Sequence, residues 1–452
     1  MNIETLREKV QLRDWETLRP YLHSLAVQDV ADILGELDPD DWVLVLKLLD
    51  SESSPQVFAY LSASQQAQIL GDLLPDERRA LLIQQTPDDL VALIETLLPH
   101  QSDELLQLLP DDLNSLLKNL LACPPDSAGR LMTPYFARID VAWTVAKALE
   151  HVRQVRAQGH SETLDVIIAV NEHGQLQGLI DLRRLLLGQQ DAPVASLLPR
   201  DPALSVAVDW DRERVATLMQ DYDLTVVPVV ESTGKVLGIV TIDDVLDVVE
   251  EETTEDFQRL AGIMPFETRV SEASGGLLYR KRIGWLLILV VVNLFSGAAL
   301  AIYEDAIEAV VALVFFLPLV IASSGNTGMQ ASTLIVRAMA TGDVQLRDWF
   351  GLLGKELFVV LGLGLTMGIA VAGVGYFWGG IPLAMTVAIA MVLVVINGGL
   401  IGLLLPFILS RFRLDPATAS APLITSVADI TGILIYFAVA VTVFDFSANG
   451  LA

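Results

Sequence analysis

The sequence predicts a multidomain protein with an N-terminal α-helical superhelix, an α/β module and a C-terminal α-helical membrane domain. Three observations predict this organisation. A short phrase repeats about every twelve residues between positions 20 and 122, a longer unit repeats after 60 residues between positions 131 and 252, and long apolar runs begin at position 283. Hydrophobic residues make up 52% of the chain and charged residues 19%. This composition excludes intrinsic disorder and is too apolar for an ordinary soluble enzyme.

Charge divides the chain into two parts. Residues 1–270 contain 46 acidic and 21 basic side chains, a net charge of −25, whereas residues 271–452 contain 10 and 8, a net charge of −2. The total of −27 argues against a nucleic-acid partner, since phosphate is bound by Lys and Arg. The single cysteine, Cys123, excludes a disulfide framework. The polar start MNIETLREKVQLRDW does not resemble a signal peptide, so we expect the acidic part in the cytoplasm.

The first element is an acidic superhelix over residues 1–128. Phrases such as LDPDDWVLVLKLL and TPDDLVALIETLL combine a capping residue, a proline in the first turn, acidic residues and an amphipathic run, which predicts short stacked helices. Asp88 and Asp89 follow Pro87 in one of these first turns. They serve either as residues that stabilise the helix start or as metal ligands.

The second element is a tandem repeat. The segments VIIAVNEHGQLQGLIDL and VVPVVESTGKVLGIVTI begin at Val166 and Val226, so that Gly174 aligns with Gly234. Each copy predicts strand, glycine turn, strand and helix. The pair resembles two CBS (cystathionine β-synthase) domains, over residues 129–190 and 191–252. This resemblance implies a regulatory module, and it makes ATP a candidate ligand because many such pairs bind adenine nucleotides.

The third element is an acidic connecting helix over residues 244–272. In TIDDVLDVVEEETTEDFQRL, four carboxylates share one helical face, at positions 244, 247, 251 and 255. Like charges on one face repel, so the helix is either a solvated acidic surface or a site for hard cations such as Mg²⁺ or Ca²⁺. Its place between a sensor module and a membrane domain favours cation binding.

The last element is a membrane domain over residues 273–452, for which the hydropathy pattern predicts five spans, at about 283–303, 309–336, 357–378, 382–410 and 416–444. The GGIP segment at 379–382 separates the third span from the fourth. With a cytoplasmic N-terminus and an outer C-terminus, all basic residues of this domain face the cytoplasm: Arg280, Lys281, Arg282, Arg337, Arg347, Lys355, Arg411 and Arg413.

Two polar features interrupt these spans. Asn326 lies in SSGNTGMQAS near the inner end of span two, and Asp429 lies in the middle of span five. A carboxylate at that depth costs about 2.5–3.5 kcal/mol on insertion scales. With no basic residue in any span, its partner is either a cation in a wet cavity or, if protonated, a neighbouring helix. All five His residues precede position 174, which argues against a membrane enzyme.

The order of these elements resembles the MgtE family of magnesium channels, as do the segments SGNTGMQASTLIVRA and DPATASAPLITSVADITG. The resemblance implies a homodimeric Mg²⁺-selective pore in the bacterial inner membrane that imports Mg²⁺, is closed by cytosolic Mg²⁺ and is not an enzyme. The alternative is a secondary transporter that exchanges a divalent cation for H⁺ or Na⁺.

The resemblance also implies roles for individual residues. The pore residues would be Asp429, Asn326 and Thr425. The regulatory Mg²⁺ ligands would be Asp211, Glu213, Asp223, Asp244, Asp247, Glu252, Glu255, Asp256 and Asp415.

Overall fold

The computed structural model describes residues 3–157, 163–200, 203–266, 270 and 273–444. It contains two compact units, one ending at Val249 and one beginning at Glu250. The first unit opens with eleven helices: α1 Ile3–Gln11, α2 Trp15–Leu22, α3 Val27–Glu36, α4 Pro39–Leu46, α5 Ser53–Ala59, α6 Ala63–Asp72, α7 Pro75–Leu82, α8 Pro87–Thr96, α9 Pro99–Leu108, α10 Asp111–Leu121 and α11 Ala128–Leu131.

Proline explains where several of these helices begin. Pro39, Pro75, Pro87 and Pro99 each occupy the first helical position, where a missing N–H costs no hydrogen bond. The expectation that a Ser, Thr or Asp side chain caps each helix is confirmed for α6, where Ser62 and Gln65 form a reciprocal capping box. It is wrong for α4 and α8, whose preceding Asp38 and Thr86 make no capping hydrogen bond.

The inward faces of these helices form one hydrophobic core, which includes Leu34, Ile69 and Leu117. Val227 and Val245, from the second repeat and the helix after it, belong to the same core. The acidic helices and the second α/β repeat are therefore packed as one body within the first unit.

The two α/β repeats have the same topology. Strands β1 Arg138–Asp140, β2 Val166–Val170 and β3 Leu176–Asp181 form one sheet, and β4 Val206–Ala207, β5 Val226–Val230 and β6 Val236–Thr241 form the other. The first two strands of each sheet are parallel and the last two antiparallel. The associated helices are α12 Val145–Ala157, α13 Leu182–Leu186, α14 Arg212–Asp221 and α15 Ile242–Leu260.

The register of the two hairpins confirms the 60-residue repeat. Val166 pairs with Asp181 and Val226 pairs with Thr241, and both hairpins contain an irregularity at the equivalent position. Gly174 and Gly234 have φ angles of +75° and +81°. The aligned glycines are thus explained by a turn that needs the left-handed region.

The second unit contains α16 Gly275–Ala301, α17 Glu304–Ala309, α18 Ala312–Ala340, α19 Trp349–Arg411 and α20 Ala421–Phe444. Within the described residues, four of these helices, all except α17, are long and apolar enough to cross a membrane. The last helix begins at Ala421 rather than at 416, because a short 3-10 turn at Pro416–Thr418 precedes it.

Helix α19 consists of two antiparallel halves. Its 63 residues would extend about 95 Å as one helix, three times the apolar thickness of a bilayer. Gly379 and Gly380 leave helical geometry, and Gly364, Gly368 and Gly375 of the first half lie against Val392, Ala388 and Ala384 of the second. Five spans were predicted and four long apolar helices are found among the described residues, with the bend of α19 at the predicted boundary between spans three and four.

Glycines also allow α18 and the second half of α19 to touch at the backbone. A Cβ atom on Gly398 would lie 2.2 Å from the Ser324 carbonyl oxygen, and one on Gly402 would lie 2.0 Å from the Gly328 carbonyl oxygen. The Ser324 hydroxyl donates a hydrogen bond to the Val394 carbonyl at 3.0 Å. Small residues are therefore required along this crossing.

We expect Gly402→Ala to destabilise the membrane domain by about 1–3 kcal/mol, because the added methyl group must push two helices apart. The measurement is the free energy of unfolding, or the thermal midpoint, of the purified protein in detergent. Gly373→Ala is the matched control, since a Cβ atom at Gly373 of the same helix meets nothing within 4 Å. Equal losses in the two variants would contradict the proposed close crossing.

Candidate ion pathway and regulatory sites

Helices α18 and α20 meet where the sequence predicted the pore. Gly325 of α18 packs against Thr425 of α20, since a Cβ atom at Gly325 would lie 3.0 Å from the Thr425 methyl carbon. Asn326 follows Gly325 and is exposed. Asp429 is half-buried and lies one helical turn beyond Thr425, on the same face of α20. The structure thus places the three predicted pore residues beside one helix contact.

Further polar groups near this contact escaped the sequence analysis. The Asn397 amide, from the second half of α19, donates a hydrogen bond to the Thr431 hydroxyl at 2.7 Å, two residues beyond Asp429. Glu356 is half-buried, and its Oε1 is 3.2 Å from where a Cβ on Gly399 would lie. Asn397 could have been noticed as an amide within an apolar run. Glu356 directly precedes such a run, where charged residues are common, so its type alone gives no signal.

Five aspartates from two helix starts interact in the first unit. We call them the aspartate cluster: Asp88, Asp89, Asp243, Asp244 and Asp247. Asp88 and Asp89 lie in the first turn of α8, and Asp243 and Asp244 in the first turn of α15. The positive ends of two helices offset part of the repulsion among these carboxylates.

The electrostatics of the aspartate cluster affect the pKa values of two of its members, Asp244 and Asp89. Burial, followed by the negative charge of Asp88, raises the pKa of Asp244 from 3.8 to about 8, against a hydrogen bond from Thr241 of 2.7 Å that lowers it. Burial also raises the pKa of Asp89, and the charges of Asp243 and Asp247 add to this effect. A side-chain hydrogen bond between Asp89 and Thr86 acts in the opposite direction. Burial and mutual repulsion therefore both disfavour ionisation of these two carboxyls.

Oxygen ligands of this kind suit hard divalent cations. Within the described residues, no three acidic, His or Cys side chains converge closely enough to hold a metal ion directly. Mg²⁺ does not require such a shell, because it keeps several of its waters and binds through one or two carboxylates. The two interpretations of Asp89 are compatible, since it bonds Thr86 at the helix start and also faces the carboxylates of α15.

The remaining predicted ligands of the first unit do not form one group. The Asp211 carboxylate accepts a hydrogen bond from the Glu213 backbone N–H at 2.9 Å and so caps α14. Asp223 follows the other end of this helix, with a φ of +52°. Helix α14, with ten residues and a length of about 15 Å, separates Asp211 from Asp223, so the two side chains of one chain cannot share an ion.

The predicted ligands of the second unit lie on α15, except Asp415, which precedes the 3-10 turn before α20. Arg259 forms ion pairs with Glu255 and with Asp415, and the second Asp415 oxygen accepts a hydrogen bond from the Ala417 N–H at 2.8 Å. Burial and the nearby Glu252 raise the pKa of Asp256, while Arg259 and Arg337 lower it. Glu255 and Asp415 are thus joined through Arg259, their common partner.

Comparison with known proteins identifies the family to which the chain belongs. Residues 317–439 match the MgtE family, described as a divalent cation transporter. Residues 25–126 match the MgtE intracellular N domain, and residues 194–251 match the CBS domain. A family of transporters is not a class of enzymes.

The similarity extends over most of the chain. The chain is 38% identical to a magnesium transporter MgtE from Thermus thermophilus, over 96% of this chain and 97% of that protein. It is 30% identical to a magnesium transporter MgtE from Bacillus subtilis, over 93% of this chain and 87% of that protein. A crystal structure of the cytosolic domain of the Mg²⁺ channel MgtE in complex with ATP matches 55% of this chain and 100% of its own, with 34% identity and a TM-score of 0.51. This chain therefore belongs to the MgtE family of divalent cation transporters and is a multi-pass membrane protein.

Proposed function

We propose that the protein is a Mg²⁺-selective channel of the bacterial inner membrane, which imports Mg²⁺ and is closed by cytosolic Mg²⁺. The observation that carries the proposal is the carboxylate of Asp429 beside the contact of α18 with α20, in a chain whose relatives are magnesium transporters. A half-buried carboxylate among apolar helices requires a partner, and a passing cation supplies one.

Permeation follows from the chemistry of the ion. Mg²⁺ releases its waters reluctantly, so a conducting pore binds it hydrated, through hydrogen bonds to the water shell. A homodimer provides two copies of Asp429 around one axis, and the exposed Asn326 provides amides that orient the waters. A monovalent ion gains about half the electrostatic energy at the same site. Selection for a divalent ion follows from that difference.

The membrane topology is part of the proposal. The N-terminus lies in the cytoplasm and the C-terminus outside, so that the basic residues at the helix ends face inward. The domain division is 1–128, 129–190, 191–252, 244–272 and 273–452. The pair of CBS domains accepts ATP, as the crystallised cytosolic domain of the relative does.

Closure depends on the charge of the cytoplasmic part. Residues 1–270 carry a net charge of −25, and the aspartate cluster concentrates part of it between α8 and α15. Mg²⁺ bound between such carboxylates stabilises the arrangement that brings them together. Shifting a population from mostly open to mostly closed requires about 5.5 kcal/mol of differential binding, which several weakly bound ions supply together.

The direct test is growth of a bacterial strain that lacks its own magnesium transporters, at low external Mg²⁺, with this chain as the only source of uptake. Growth that depends on the chain supports Mg²⁺ import, and failure to grow despite membrane insertion contradicts it. Electrical recording then separates a channel from an exchanger of Mg²⁺ for H⁺ or Na⁺. Fluxes far above about 10³ ions per second exceed the upper range of typical enzyme turnover and identify a channel.

The pKa of Asp244 predicts that Mg²⁺ binding to the cytoplasmic part tightens with pH. A carboxyl whose pKa is raised in the folded state stabilises that state while it is protonated. This stabilisation is complete below pH 3.8, the ordinary pKa of Asp, and is lost as pH rises through about 8. Protons and Mg²⁺ compete for the same carboxylates. Between pH 6 and pH 8 we expect the Mg²⁺ concentration that half-protects the cytoplasmic part from proteolysis to fall by about fivefold or more.

Asp244→Asn is the control for this pH dependence. The variant has no proton to release at this position, so the shift between pH 6 and pH 8 should shrink to less than about twofold. An unchanged shift in Asp244→Asn would assign the pH dependence to other groups.

A further inference from the structure

Residues 262–265, which follow α15, are held against the cytoplasmic end of α16 by specific contacts. Gly262, with a φ of +72°, lies so close to Trp285 of α16 that a Cβ atom would come within 2.5 Å of the indole ring. The Met264 N–H donates to the Lys281 carbonyl at 3.0 Å, and the Lys281 ammonium donates to the Pro265 carbonyl at 2.5 Å. The end of the connecting helix is therefore fixed relative to α16.

Arg259 makes the corresponding connection to the last membrane helix. Its guanidinium contacts the Glu255 carboxylate, which lies one turn earlier on α15. It also contacts the carboxylate of Asp415, just before the 3-10 turn that precedes α20. The three side chains are about one-third exposed. The other Asp415 oxygen is already used by the Ala417 N–H. A guanidinium can satisfy two carboxylates at once because its donors form a planar fork.

We infer that Arg259 is a built-in cation that ties the connecting helix to the cytoplasmic end of the last membrane helix through Glu255 and Asp415, and so lowers the Mg²⁺ concentration at which the channel closes. The inference rests on the proposed function. It assigns to Arg259 the bridging role that the resemblance had led us to expect of Mg²⁺ at Glu255 and Asp415. Because Arg259 is part of the chain, this bridge does not depend on the Mg²⁺ concentration. The variable part of the response then comes from carboxylates elsewhere, including the aspartate cluster.

The experiment records Mg²⁺ currents in inside-out membrane patches while cytoplasmic Mg²⁺ is titrated. We expect Arg259→Gln to raise the half-inhibiting Mg²⁺ concentration about two- to fivefold, the range for a partly exposed ion pair. Arg259→Lys keeps the charge and should recover most of this loss. Asp415→Asn retains an oxygen for the Ala417 N–H, and its effect should not add to that of Arg259→Gln. Arg347→Gln is the matched control, an equal charge change at an arginine that is 80% exposed.

A second measurement tests the tie without relying on currents. Phe257, on α15 beside Arg259, is 70% exposed, so chymotrypsin can report opening of this helix. Trypsin is unsuitable because Arg259 is itself a cleavage site. We expect Arg259→Gln to be cleaved at this helix about two- to fivefold faster than the parent, and Arg347→Gln at the parental rate.

The outcomes distinguish the two proposals. If Mg²⁺ does not inhibit the currents of the parent protein, the proposed closure by Mg²⁺ is contradicted. Faster cleavage of Arg259→Gln would in that case still support the link made by Arg259. Unchanged cleavage and unchanged inhibition in Arg259→Gln would overturn the tie and leave the channel proposal intact. A lower half-inhibiting concentration in Arg259→Gln would also overturn it, since Arg259 would then compete with Mg²⁺ for the carboxylates. Additive effects of Arg259→Gln and Asp415→Asn would show that the two residues act separately.

Discussion

Replacing Asp429 by Ala is expected to abolish Mg²⁺ uptake while the protein still inserts and assembles. The carboxylate lies half-buried beside the contact between α18 and α20, among apolar helices. Its removal relieves an insertion cost of about 2.5–3.5 kcal/mol, so loss of function cannot be attributed to failed insertion. The measurement is Mg²⁺ uptake into proteoliposomes, with the amount of inserted protein and its oligomeric state determined on the same preparation.

Asp429→Asn separates charge from size. The amide keeps the volume and the hydrogen-bonding oxygen of the side chain but attracts a divalent ion far less. We therefore expect uptake by Asp429→Asn to fall by at least about tenfold, close to the level of the Ala variant. Asp305→Ala is the control, because Asp305 is an exposed carboxylate outside the long membrane helices. Uptake by Asp429→Asn within about twofold of the parent would contradict selection by charge.

Local patterns in the sequence were sufficient to predict turns, helix breaks and membrane helices, which depend on residues close together in the chain. The glycines at 174 and 234 indicated turns, and both adopt positive φ angles there. The GGIP segment indicated a break, and Gly379 and Gly380 leave helical geometry. In each case a residue type is tied to a backbone conformation that few other residues adopt. The apolar runs predicted the membrane helices for the same reason, since length and hydropathy are properties of a single segment.

Contacts between distant segments could not be predicted in this way. Asp88 and Asp244 are separated by more than 150 residues, and repulsion alone would have placed them apart. They meet because α8 and the second α/β repeat share a hydrophobic core, which overrides the electrostatic cost. Arg259 was likewise one basic residue in an acidic run, and its two partners became visible only in the folded chain.

Neutralising four of the five residues of the aspartate cluster, all except Asp88, is expected to have the second large effect. We predict that a variant with Asn at Asp89, Asp243, Asp244 and Asp247 conducts at millimolar cytoplasmic Mg²⁺ at about the rate it shows without Mg²⁺. The substitution relieves repulsion, which alone would favour closure, but it also removes ligands through which Mg²⁺ prefers the closed state. A ligand shifts an equilibrium only by its differential affinity, so the Mg²⁺ dependence must decrease.

Inside-out patches measure this directly, since the cytoplasmic face is bathed in a chosen Mg²⁺ concentration. The matched control carries the same number of Asp→Asn changes at exposed positions of the helical region: Asp29, Asp32, Asp72 and Asp103. This control reduces the net charge equally, so it tests whether overall charge or the aspartate cluster governs closure. Parental inhibition in the control and its loss in the cluster variant would assign the sensor to the cluster. A cluster variant that remains shut at every Mg²⁺ concentration would instead show that repulsion among these carboxylates, rather than bridging by Mg²⁺, holds the channel open.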